Sequence, residues 1–148
     1  MLHAIGPLAL YGVRAIELTR GRAGGARAPL TFGRYRVPGT VVLYEQPMPP
    51  WRLPGSIAPA AARRLESAGA VLTPLAGAGA TLVDWPEGTL RRFMLEEVLL
   101  HEIGHHVLQH HTGKRPVRIA RTRDHEAFAQ RFAQRQRAAL SKRSADGQ

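Results

Sequence analysis

Cysteine is absent from this chain of 148 residues. Without thiols the protein can form neither a disulfide nor a thiolate metal site. Histidine nitrogens and carboxylate oxygens are therefore the side-chain ligands that a metal ion would find here. This absence restricts the metal chemistry that the seven histidines can support.

The chain also lacks a long apolar run. An apolar patch covers residues 8–13, but no basic segment precedes it, and Arg14 and Glu17 follow within a few residues. A secretory signal has a basic lead, and a membrane-spanning helix needs about 20 apolar residues. The sequence therefore predicts a soluble, cytoplasmic protein without a membrane segment. Its length predicts one domain over residues 1–148.

Acidic residues are few compared with basic ones. The chain has 11 aspartates and glutamates against 21 arginines and lysines, a formal net charge of +10, and its only lysines are Lys114 and Lys142. This balance favours acidic partners or proximity to DNA. A compositional preference for arginine, with solvated basic surfaces, explains the charge equally well, because no aromatic-interleaved nucleic-acid motif accompanies the arginines. The sequence does not specify an oligomeric state.

Apolar periodicity and turn residues predict a mixed set of elements. Strands are predicted over residues 10–19, 32–37, 40–45, 70–73 and 80–84, with a hairpin turn at Pro38 and Gly39. Helices are predicted over residues 59–69, 90–111 and 124–140, the second capped by Thr89. The remaining segments are a basic loop at 20–29, a stiff proline-rich stretch around Trp51, a basic connection at 114–123 and a frayed tail at 141–148.

The predicted helix over residues 90–111 carries the sequence HEIGHH at 101–106, an HExxH motif with a further histidine. His101 and His105 share one helix face, because residues four apart are separated by about 400° of rotation. Two imidazoles can then bind one metal ion, and Glu102, turned by roughly 100°, lies beside that ion as a general base. A metal ion or hydrogen bonds must satisfy these side chains if they are buried together.

A catalytic zinc ion usually has three protein ligands and one open position, so a third ligand must come from elsewhere. The last predicted helix offers Asp124, His125 and Glu126. Glu126 is preferred, because it shares a face with Ala129 and Ala133, whose small side chains allow a close approach to the motif helix. The other two candidates stay open, since a boundary error of one residue turns the helix by about 100°. An exposed first-turn acid is the alternative role of Glu126.

These motifs resemble those of the gluzincin metallopeptidases, and most closely those of the ImmA/IrrE family. The resemblance rests on HEIGHH, on RRF at residues 91–93, and on EAFAQRFA at 126–133, which is similar to the family pattern ExEAD/NxFA. It implies an α+β, zincin-like domain in which a small twisted, mostly antiparallel sheet packs on the HExxH helix and a C-terminal helix. It also implies a Zn²⁺-dependent endopeptidase that acts on a protein or peptide substrate, with regulatory cleavage of a repressor-like protein.

Two positions depart from the family pattern. Gln130 stands where the family has Asp or Asn, and a glutamine can still accept a hydrogen bond, but with less charge. The interval between Phe93 and His101 is about one helical turn longer than the family suggests. The sequence therefore predicts a longer motif helix.

Three further expectations concern the surroundings of the site. The substrate backbone is expected to add to a sheet edge at residues 80–84. An oxyanion donor is required, and the chemically able candidates are Tyr35, Tyr44, His110 and His125. The extra histidines His106, His110 and His111 are expected on a solvated face rather than at a second metal site, because no carboxylate partner accompanies them. A basic nucleic-acid- or protein-binding module with a structural or inactive zinc site is the alternative function.

Overall fold

The computed structural model describes residues 1–20, 31–77, 79–111 and 123–146. Its helices are α1 (Leu2–Ile5), α2 (Pro7–Leu10), α3 (Pro59–Ser67), α4 (Thr89–Arg92), a π-helix (Phe93–Leu99), α5 (Leu100–His111) and α6 (Arg123–Asp146). Its strands are β1 (Ala15–Arg20), β2 (Gly33–Arg36), β3 (Thr40–Glu45), β4 (Trp51–Pro54), β5 (Val71–Leu75) and β6 (Ala80–Asp84). The two predicted basic connections lie outside the described residues, except for Arg20 in β1 and Arg123 in α6.

The strands form two three-stranded sheets rather than the single predicted sheet. In the first, β2 and β3 form the predicted antiparallel hairpin, and β1 runs parallel to β3 on its other side. The second sheet has the order β4-β6-β5 and is antiparallel throughout. The protein is therefore α+β, and antiparallel pairing dominates in its sheets.

Three predicted elements differ in extent. Strand β1 begins only at Ala15, because Pro7–Leu10 form a helical turn and Gly12 follows with a left-handed φ of 86°. The proline-rich stretch contains strand β4, and its Trp51 is buried, as predicted. Helix α6 continues to Asp146 through most of the predicted frayed tail, since residues 141–146 include Lys, Arg and Ala, which favour a helix, and contain no glycine or proline. Among the described helices none is both long and apolar enough to cross a bilayer.

An aromatic cluster in the core holds the start of the π-helix. The ring centroid of Phe93 lies 4.9 Å from that of Phe32 and 5.0 Å from that of Trp85, which in turn lies 5.6 Å from that of Trp51. Trp51 lies in β4, Phe32 directly precedes β2, Trp85 directly follows β6, and Phe93 is only 1% exposed. The cluster thereby sets the position from which the motif helix starts.

The predicted helix over residues 90–111 is not one continuous α-helix. Thr89 is its first residue rather than its cap, because Gly88 precedes it with a φ of 79° and the Thr89 hydroxyl donates to the Pro86 carbonyl. The π-helix Phe93–Leu99 occupies most of the interval between Phe93 and His101, which was predicted to be longer than the corresponding interval in the family. Because a π-turn holds more residues than an α-turn, it resets the face that each residue of α5 presents.

An ion pair with a buried carboxylate joins the π-helix to α6. Glu97 is only 6% exposed, and Arg137 of α6 forms a salt bridge with its carboxylate. A carboxylate at this depth needs a charged partner, since its desolvation is costly. The pair therefore helps to fix α6 along the motif helix.

Candidate metal centre

The side chains of His101, His105 and Glu126 converge between α5 and α6. The Nε2 atoms of the two histidines are 3.1 Å apart. One carboxylate oxygen of Glu126 lies 3.2 Å from Nε2 of His101, and the other lies 3.4 Å from Nε2 of His105. Of the three candidates for the third ligand, Glu126 is the residue that meets both imidazoles, whereas Asp124 is exposed.

The dimensions of this group fit a zinc ion. Ligand atoms about 2.0–2.1 Å from a tetrahedral zinc ion are about 3.3 Å from one another. The separation of the two imidazole nitrogens, 3.1 Å, and their distances to the two different oxygens of Glu126, 3.2 and 3.4 Å, bracket that value. Imidazole nitrogen and carboxylate oxygen are also the donors that zinc accepts. The group can therefore hold a metal ion, and its spacing and donor types suit zinc.

The close approach of α6 to α5 depends on Gly104, inside the motif. A Cβ atom at this position would lie 2.8 Å from Cα and 3.1 Å from the carbonyl oxygen of Ala129, and 3.2 Å from Cβ of Phe132. Ala129 and Ala133 are buried in the contact. The predicted role of small α6 residues is confirmed, but Gly104 was missed. The sequence does carry a signal for the role of Gly104. A glycine inside a predicted helix costs about 1 kcal/mol relative to alanine, so its presence indicates a packing reason.

We expect Gly104→Ala to destabilise the protein and weaken metal binding. The added methyl meets backbone atoms of Ala129, which cannot move away by a rotamer change. Overpacking of this kind costs about 1–3 kcal/mol, more than the gain of up to about 1 kcal/mol in helix propensity. Thermal unfolding and zinc content, with the exposed α6 substitution Arg131→Ala as control, measure both effects. An unchanged Tm together with unchanged zinc content would contradict the role of Gly104.

Solvent reaches the group from the Glu126 side. The side chains of His105 and His101 are 5% and 13% exposed, whereas that of Glu126 is 46% exposed. Glu102 follows His101 on α5 and is only 4% exposed. A substrate can therefore approach on one side, while the carboxylate expected to act as the base lies in a site with little water.

No protein-family model, curated protein or solved structure matches this chain. The resemblance to the ImmA/IrrE family accordingly stays a prediction carried by the motif residues. The convergence of the side chains of His101, His105 and Glu126 supports metal binding independently of that resemblance.

His106 is buried rather than solvated, so the prediction of a solvated face is wrong for this residue. It is 1% exposed, its Nε2–H donates to the Tyr11 carbonyl at 3.0 Å, and its Nδ1 accepts from the Tyr35 hydroxyl at 3.4 Å. Burial lowers the pKa of His106 and raises that of Tyr35, which keeps the imidazole neutral and the hydroxyl protonated. His106 thus holds the segment before β1 and the edge of the first sheet against α5.

His110 packs beside this cluster. Its ring centroid lies 5.4 Å from that of Tyr11 and 5.4 Å from that of His106. The side chain of His111 lies outside the described part of the structure. Within the described residues, the group at His101 is the one set of three with metal-ligand spacing. The hydroxyl of Tyr35 and the ring of His110 belong to the His106 cluster, so neither stands out as an oxyanion donor.

The substrate edge predicted at residues 80–84 is closed. Strand β6 pairs with β4 on one side and with β5 on the other, so no further strand can add to it. Strand β2 is an edge of its own sheet and packs on α5. Among the described strands, the edge nearest the motif helix is therefore that of β2. Its edge position follows from the pairing of β1 and β2 on opposite sides of β3, which local sequence patterns do not reveal.

Proposed function

We propose that this protein is a zincin-like, zinc-dependent endopeptidase. One observation carries the proposal: the two imidazoles of an HExxH motif converge with a carboxylate at separations that suit zinc ligands, and the glutamate of the motif is buried. The resemblance of the same residues to the ImmA/IrrE family supports it, and so does the exposure of the group on one side. The repressor-like substrate suggested by that resemblance is part of the proposal.

The chemistry divides between the metal ion and Glu102. His101, His105 and Glu126 would hold the ion, which when bound would lower the pKa of water and polarise a peptide carbonyl. Glu102 accepts the proton of the attacking water and returns it to the leaving amine, so that the carboxylate ends each cycle in its original state. Its burial excludes bulk water from this transfer.

A polypeptide backbone can be held at the outer edge of β2, which pairs with no strand among the described residues. The edge is four residues long, Gly33–Arg36, and its neighbour in the sheet is β3. Strand addition would supply main-chain hydrogen bonds without demanding a particular sequence. This edge replaces residues 80–84 as the proposed substrate site.

Zinc content and hydrolysis measured on one preparation test the proposed function. We expect about one zinc ion per chain and cleavage of an unfolded protein such as casein. A chelator should stop cleavage, and added zinc should restore it, because the ion supplies part of the chemistry. Cleavage that is indifferent to chelation, or full zinc occupancy without cleavage of any polypeptide tested, would contradict the proposal.

The basic surface favours a second candidate, a nucleic-acid-binding module with a structural zinc site. Arg131, Arg135 and Lys142 are exposed along α6, and the chain has a net charge of +10. Such a module would bind DNA with a steep salt dependence. Binding that is unaffected by chelator and by Glu102→Gln, without peptide cleavage, would favour this candidate over the peptidase.

A further inference from the structure

Strand β1 presents an apolar surface at one edge of the first sheet. Among the described strands it pairs only with β3, so the backbone groups on its other side have no described strand as partner. Ile16 and Leu18 lie opposite Val41 and Leu43 of β3 and share their face of the sheet. The two β3 residues are buried, whereas Ile16 is 38% exposed and Leu18 is 73% exposed. The core side of the sheet therefore continues as apolar surface out to the β1 edge.

The other three edges of the described sheets are less suited to pairing with a second copy of the chain. Strand β5 contains Pro74 and strand β4 ends at Pro54, and a proline has no N–H to donate to a neighbouring strand. Strand β2 is only four residues long, so it offers fewer backbone groups. Strand β1 is six residues long, about 20 Å, and contains no proline. Its Leu18 is the most exposed of the large apolar side chains in the described strands.

The charged side chains of β1 are paired within the chain. Glu17 lies on the opposite face from Leu18 and forms a salt bridge with Arg36 of β2. Arg20, the last residue of β1, has its Nε atom 3.8 Å from a carboxylate oxygen of Glu45. Unpaired charges on an edge strand keep other strands away, and these two ion pairs reduce that protection. The β1 edge thus has little net charge to oppose a second strand.

Antiparallel pairing of β1 with the β1 strand of a second copy has one register that matches these features. When Glu17 lies opposite its own counterpart on a two-fold axis, Ile16 of each chain lies opposite Leu18 of the other. The two Glu17 carboxylates meet on the other face, where Arg36 neutralises each of them. An axis at Leu18 would instead place the apolar side chain of Ile16 opposite the charged side chain of Arg20.

We propose that the protein forms a two-fold symmetric dimer through β1, in which the two first sheets join into one six-stranded sheet. Backbone hydrogen bonds between the two strands and the burial of Ile16 and Leu18 supply the attraction. Because β1 and β2 are opposite edges of one sheet, the dimer leaves the β2 edge accessible. The inference therefore does not rest on the proposed peptidase function, and it gives a partner to the edge that this function does not use.

Sedimentation equilibrium of the full chain tests the dimer. We expect reversible association that weakens at least about 10-fold in Leu18→Asp, because a charge would then face Ile16 of the other copy. Leu18 is mostly exposed in the single chain, so this change should leave the fold intact. The matched control is Val71→Asp, which also charges an exposed apolar residue of an edge strand, but in the second sheet. A protein that stays monomeric up to about 1 mM, or a dimer that Leu18→Asp leaves unchanged, would overturn the inference.

Salt distinguishes this interface from one held by charge. Each copy has a net charge of +10, so the two copies repel one another at long range. Added salt screens that repulsion, and we expect it to strengthen the dimer. A dimer that dissociates when salt is added would indicate charge attraction between different surfaces and would contradict pairing through β1.

The absence of cysteine allows a direct test of the register. In Glu17→Cys the two introduced thiols would be the only ones in the dimer and would lie directly opposite each other, with Cβ atoms about 4.5–5.5 Å apart. In Leu18→Cys they would be diagonal neighbours about 7–8 Å apart, too far for a disulfide without backbone movement. Mild oxidation should therefore link Glu17→Cys much faster than Leu18→Cys. Equal rates, or faster linking of Leu18→Cys, would refute the proposed pairing.

Discussion

We expect Glu102→Gln to stop the proposed peptide hydrolysis while the proposed zinc ion remains bound. Glutamine has nearly the shape of glutamate, but its neutral amide cannot accept a proton from water at neutral pH. A general base contributes about 10²–10⁴-fold to rate, so kcat should fall by at least about 100-fold. Zinc binding should persist, because Glu102 is not among the three residues whose donor atoms converge.

Rate and zinc content must be measured on the same samples of the Glu102 variant. Glu66→Gln, which removes a charge at an exposed position of α3, is the matched control and should change neither quantity. Appreciable cleavage by Glu102→Gln at full zinc occupancy would sink the proposed mechanism. Loss of zinc in this variant would show that Glu102 supports the metal site rather than acting only as a base.

We expect Glu126→Ala to abolish the proposed zinc binding without unfolding the protein. The carboxylate supplies one of three donors, so the loss in affinity should exceed the roughly 10- to 100-fold that outer-shell partners cause. Nearly half of the Glu126 side chain is exposed, so its removal leaves no core cavity. After dialysis, zinc content should drop sharply, and the rise in Tm that zinc gives the wild type should shrink.

His105→Ala and Asp124→Ala complete this comparison. His105 is a buried donor, so its removal should also abolish zinc binding, with an added loss of packing. Asp124 is exposed and outside the converging group, so its variant should bind zinc as the wild type does. Normal zinc content in Glu126→Ala, together with its loss in Asp124→Ala or His125→Ala, would move the third ligand to one of the residues that the sequence left open.

Local sequence patterns predicted the helices and strands well where neighbouring residues determine their ends. Pro38 and Gly39 occupy the turn of the β2–β3 hairpin, and α3 ends at Ser67, two residues before Gly69, whose φ of 98° suits glycine. The shared face of His101 and His105 follows from helical periodicity, and their Nε2 atoms are 3.1 Å apart. The π-helix was missed, because periodicity rules assume a constant number of residues per turn.

Neighbouring residues in the chain thus specify the two imidazoles and the adjacent base, because sterics and hydrogen bonding within one helical turn place them. The partners of that turn come from far along the chain. Which acidic residue joins the imidazoles depends on how closely α6 packs at Gly104. Such contacts arise from the combined packing of many side chains, so no single stretch of sequence contains them.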